Sequence, residues 1–133
     1  MDKPYVDHVS FVVADLDQAI EMYAALWGIE PREVVVKEAI GLKIANFEAA
    51  NVTLELIQFI GPSEFEGVLG TQPGINHLGL LVADIEATVQ SMAKAGVEIM
   101  PGFPKPGSRG PLVFAEPETA QGMRLEFCEV EAQ

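Results

Sequence analysis

The chain holds two histidines, His8 and His77, each early in an apolar, β-rich run, DHVSFVV and NHLGLLV. A carboxylate follows each at a matched distance: Glu55 in VTLELIQF lies 47 residues after His8, and Glu126 in MRLEFCEV lies 49 after His77. A lone histidine on a strand is more often structural than a ligand. A strand glutamate can face solvent or, for Glu126, pair with Arg124. A two-fold set of four shifts that balance, because a carboxylate buried in a sheet costs several kcal/mol unless it is paired or bound to a cation. Two imidazoles and two carboxylates suit one borderline divalent ion such as Zn, Co, Ni, Mn or Fe. Four protein ligands on an ion that accepts six leave adjacent places for two neighbouring oxygens of a substrate. A Lewis acid there stabilises the charge that develops on a carbonyl oxygen when a proton leaves the adjacent carbon.

The elements that must position these residues repeat. DHVSFVVADLDQAIEMYAALWGIE (7–30) is echoed by NHLGLLVADIEATVQSMAKAGVEI (76–99). His8 matches His77, Val13-Ala14-Asp15 matches Val82-Ala83-Asp84, and Ile20 matches Val89, all at an offset of 69. Self-similarity of this kind marks two copies of one supersecondary unit. In each copy an apolar strand (6–13, 75–82) leads to an aspartate, Asp15 or Asp84, at the natural N-cap of a helix. Gln18 completes the spacing of a capping box in the first copy. Leu16, Ile20, Tyr23 and Trp27, and then Ile85, Val89, Met92 and Ala93, recur at helical spacing, and Gly28 and Gly96 close the helices. Three shorter strands follow each helix, at 32–38, 41–48 and 51–59 and at 97–100, 111–115 and 122–130. The spacing predicts a helical turn around 64–69 between the copies. The Pro- and Gly-dense stretch 101–111 predicts an irregular loop, functional or a spacer.

Bulk properties narrow the class. The length of 133 residues with 49% hydrophobic content fits a single domain, 1–133, with module one at about 5–60, a linker at 61–73 and module two at about 74–130. The net charge of −12, with eight scattered Lys and Arg, offers no basic track for a phosphate backbone, so nucleic acid is not an expected partner. No apolar run approaches a bilayer span, so no membrane partner is expected. The single cysteine, Cys128, and an N-terminus without a secretory pattern lead to a cytoplasmic expectation.

The repeat and the four matched residues resemble the vicinal-oxygen-chelate superfamily, which includes glyoxalases, bleomycin-resistance proteins and extradiol dioxygenases. The likeness runs from about residue 5 to 130. It implies an α+β fold, two βαβββ modules forming a cupped eight-stranded mixed sheet. Within the group, GINHLGLLVADIEATVQSMAKAGVEIM and PKPGSRGPLVFAEPETAQGMRLEF look most like methylmalonyl-CoA epimerases. The resemblance carries the metal ligands onto His8, Glu55, His77 and Glu126.

It further implies a metal-dependent isomerase that moves a proton alpha to a carbonyl, with a small-molecule substrate, possibly an acyl-CoA, and a homodimeric state. Epimerisation needs proton removal from one face and return on the other. Glu126 is the first expected base, and Lys43 and Glu48, on a strand that faces the cup in this family, are candidates for the second. Two departures stand out. Asn76-His77 replaces the His-His often found in these epimerases, and Glu116-Pro117-Glu118-Thr119 stands where they commonly carry His-Pro-Lys-Ser. The alternative functions on this fold are a glyoxalase I-type lyase or isomerase acting on a hemithioacetal, and a non-catalytic protein that binds a ligand or antibiotic.

Overall fold

The computed structural model describes residues 3–107 and 110–130. In chain order its elements are β1 (Tyr5–Val12), α1 (Leu16–Trp27), β2 (Glu33–Lys37), β3 (Leu42–Glu48), β4 (Thr53–Phe59), α2 (Glu66–Leu69), β5 (Gly74–Val82), α3 (Ile85–Lys94), β6 (Lys105–Pro106), β7 (Pro111–Phe114) and β8 (Leu125–Glu129). The strands belong to an eight-stranded mixed sheet, in the order β2-β3-β4-β1 in one half and β5-β8-β7-β6 in the other. The chain divides into two compact units, His8–Asn76 and Met1–Asp7 with His77–Gln133.

In the unit His8–Asn76, β1 runs parallel to β4, with Ser10 beside Glu55, while β3 pairs antiparallel with both β4 and β2. The α1 helix begins where the Asp15 side chain accepts the Gln18 N–H at 3.0 Å, and it ends at Gly28, whose φ of 71° is the left-handed cap a glycine supplies. Its apolar stripe packs Leu16 and Ala19 against Ala45, Phe47 and Leu56. Trp27 stacks on Tyr23 at 4.5 Å between ring centroids and meets Phe47 edge-on at 5.3 Å. Alternation along β3 therefore sends Lys43, Ala45 and Phe47 to the helix side and Leu42, Ile44, Asn46 and Glu48 to the other.

The second unit repeats the scheme. Its β5 runs parallel to β8, with Gly79 beside Glu126, and β7 pairs antiparallel with both β8 and β6. Asp84 caps α3 by accepting the Ala87 N–H at 3.2 Å, and the helix buries Ile85 and Met92. A second device recurs at both helix starts. The Leu16 N–H donates to Gln58 at 2.8 Å, and the Ile85 N–H donates to Glu129 at 3.0 Å, so an end-of-strand side chain takes one otherwise unpaired N–H of each first turn.

The second copy departs from expectation in its strands. The run at 97–100 supplies a single bridge, Ile99 to Ala115, because Pro101 has no N–H with which to extend it. The stretch expected to be irregular instead contributes β6, where Lys105 pairs with Leu112 and Pro106 with Pro111. Pro106 is tolerated because β6 is the sheet edge, and Pro111 because it is the first residue of β7. Residues 108 and 109 of that stretch lie outside the described residues. The expected turn near 64–69 is α2. No helix among the described residues is long and apolar enough to cross a membrane.

Candidate metal centre

His8 and Ser10 point to one face of β1, two residues apart, and Ser10 is registered against Glu55 of β4. The imidazole and the carboxylate thus share a face. The Ser10 side chain, fully buried, donates its hydroxyl proton to Glu55 Oε1 at 2.9 Å. In the other unit His77 and Gly79 share a face of β5, and Gly79 is registered against Glu126 of β8. His77 is buried, and its ring meets Phe114 edge-on at 5.4 Å. Phe114 is itself the β7 partner of Glu126 and packs against Phe103 at 5.5 Å, so an apolar wall backs this histidine.

In the unit His8–Asn76, His8 and Glu55 each offer a ligand atom, and those atoms lie within 4.8 Å of one another. Ligand bonds of about 2.0–2.2 Å to a shared divalent ion require donors gathered on this scale. An imidazole nitrogen and a carboxylate oxygen form a mixed donor set, which suits Zn and its first-row neighbours better than Ca or Mg. The residues therefore fit such an ion. Glu126 stands in the other unit, with His77. Its place is fixed by Gly79 on one side and Phe114 on the other.

The other expected site residues separate. Lys43 lies on the helix side of β3, partnered with Gln58, and its ammonium pairs with Asp17 of α1 at 2.8 Å. That is the face away from Glu55, so a role as base beside Glu55 has no support in its placement. Glu48 shares the Glu55 face, since its partner on β4 is Thr53, two residues from Glu55. It accepts from Thr53 Oγ1 at 2.8 Å and pairs with Arg32 at 2.7 Å. A groove of about 910 Å³ in this unit, lined by Phe11, Val13, Gln18, Met22, Tyr23 and Pro73 among others, contains none of His8, Glu48 or Glu55. Ser10 is the site residue that sequence reasoning missed. Its only signal was a small polar residue two places beyond a strand histidine.

Comparison with known proteins places these residues in context. A family model described as "Glyoxalase/Bleomycin resistance protein/Dioxygenase superfamily" matches residues 7–114. The chain is 29% identical over 128 residues to the mitochondrial methylmalonyl-CoA epimerase of Dictyostelium discoideum, covering 93% of this chain and 77% of that one. It is 30% identical over 150 residues to a 2-epi-5-epi-valiolone epimerase of Actinomyces sp, covering 96% and 80%. The crystal structure of methylmalonyl-CoA epimerase from Mycobacterium tuberculosis superposes with a TM-score of 0.75 at 26% identity, over 95% of this chain and 87% of that one.

Proposed function

Because this chain belongs to the glyoxalase, bleomycin resistance protein and dioxygenase superfamily, we propose that it is a metal-dependent epimerase that moves a proton at a carbon alpha to a carbonyl. The placement of the His8 and Glu55 ligand atoms within 4.8 Å of one another, with His77 and Glu126 at the equivalent positions of the second repeat, carries the metal part of this reading. The likeness to two epimerases with different substrates supports the reaction class. A methylmalonyl-CoA-like thioester is the substrate we propose, from the likeness to methylmalonyl-CoA epimerases in both sequence and structure.

In this reading His8, Glu55 and His77 hold the ion, and Glu126, in the equivalent place of the second repeat, completes the set. When bound, the ion supplies a Lewis acid that polarises the substrate carbonyl and lowers the pKa of the adjacent C–H. The protein's residues do the rest. The carboxylate of Glu126 accepts the alpha proton on one face of the substrate. Return of a proton to the opposite face requires a second acid. Of the β3 residues on the Glu55 face (Leu42, Ile44, Asn46 and Glu48), Glu48 is the one with a carboxyl group. We assign it that role. Phe114 and Phe103 shield His77 from water, which strengthens electrostatic interactions at the site.

A substrate incubation in deuterium oxide tests this. Metal-loaded protein is expected to wash deuterium into the alpha carbon of methylmalonyl-CoA and to interconvert its two epimers. If metal is bound and neither exchange nor interconversion occurs, the thioester assignment fails. Exchange into 2-epi-5-epi-valiolone instead would move the assignment toward the second class of relative.

A further inference from the structure

The two halves of the proposed metal site are built on the same register but are not chemically equivalent, and Ser10 is the difference. The β1 residue beside Glu55 is Ser10, and the β5 residue beside Glu126 is Gly79. Ser10 has no exposed surface, so its hydroxyl must find a partner within the protein, and the one it meets is Glu55 Oε1 at 2.9 Å. Gly79 has no side chain to offer Glu126 in the same way.

From this geometry, and resting on the metal-site reading above, we propose that Ser10 is a positioning residue that fixes the orientation of the Glu55 carboxylate for metal binding. A hydroxyl proton held on Oε1 occupies a lone pair of that oxygen and restricts rotation about the last side-chain torsion. The carboxylate is thereby held in one orientation. Ser10 acts only through Glu55 and does not touch substrate. Hydrogen-bonded supports of this kind are typically worth about 10–100-fold in metal affinity. The consequence is that the Glu55 side of the site is preorganised before the ion arrives.

A double-mutant cycle in metal affinity tests the inference without reliance on turnover. Apo protein is titrated with Co(II), following the ligand-field bands and the binding heat, for wild type, Ser10→Ala, Glu55→Ala and the double variant. Ser10→Ala is expected to weaken Co(II) about 10–100-fold and to alter the band positions. In the Glu55→Ala background the same substitution is expected to change affinity less than about twofold, because its route to the metal is gone. Ser10→Thr, which keeps the hydroxyl, should recover most of the affinity if the extra methyl is accommodated. Equal losses in both backgrounds would make Ser10 a packing residue and overturn the proposal, as would a Ser10→Ala protein with wild-type affinity and spectrum. Wild-type protein that binds no Co(II) would instead remove the metal reading on which the proposal rests.

Discussion

The ammonium of Lys43 lies 2.8 Å from Asp17 Oδ1, tying the start of β3 to the first turn of α1 on the side of the sheet away from Glu55. Asp17 is 78% exposed, so water and salt screen the pair. Exposed pairs of this type contribute about 0–1 kcal/mol. Lys43→Met should therefore cost under about 1 kcal/mol in urea denaturation and leave metal content and turnover close to wild type. A fall in turnover of two orders of magnitude with metal retained would return Lys43 to the chemistry.

Glu48 makes the opposite prediction. Its carboxylate stands on the Glu55 face, held by Thr53 and Arg32. General acid–base groups contribute about 10²–10⁴ in rate. Glu48→Gln, which keeps the shape and the acceptor oxygen, should lower kcat for epimerisation by that order while leaving metal binding intact. Because removal and return of the proton use different groups, one epimer should retain solvent exchange while interconversion fails. Wild-type interconversion in this variant would exclude Glu48 as the second acid.

The caps provide a stability test that is independent of function. Asp15 and Asp84 each accept an N–H three residues on, at 3.0 and 3.2 Å. Replacing either by alanine should cost about 1 kcal/mol. The two costs should add in the double variant to within about 0.5 kcal/mol, since the caps share no partner. A loss below about 0.3 kcal/mol at either site would show that the side chain does not support its helix.

These caps also show how far sequence reasoning reaches. The aspartates, Gly28 and the helical apolar stripes act through neighbours a few residues away, so their roles are visible in local spacing. The offset of 69 between His8 and His77 is visible for a related reason, because a duplicated unit keeps equivalent residues in step. The pairing of β6 with β7 was not legible, since two residues on each side carry no periodicity and three of the four flanking signals are Pro or Gly. Nor was the Ser10 hydrogen bond, which spans 45 residues and exists only in the parallel register of β1 with β4. The placement of Lys43 likewise depends on register. Its own strand offers two faces, and only the partnering with Gln58 assigns it to the helix side.

The central claim is that His8, Glu55 and His77 belong to one metal site, and metal analysis of protein purified without chelator tests it most directly. The account predicts about one divalent ion per chain, lost on His77→Ala substitution, with the wild-type melting temperature rising on metal addition because the ion binds only the folded state. Protein that carries no ion, takes up none when Co, Zn, Ni or Mn is supplied, and melts at the same temperature with or without them would contradict it.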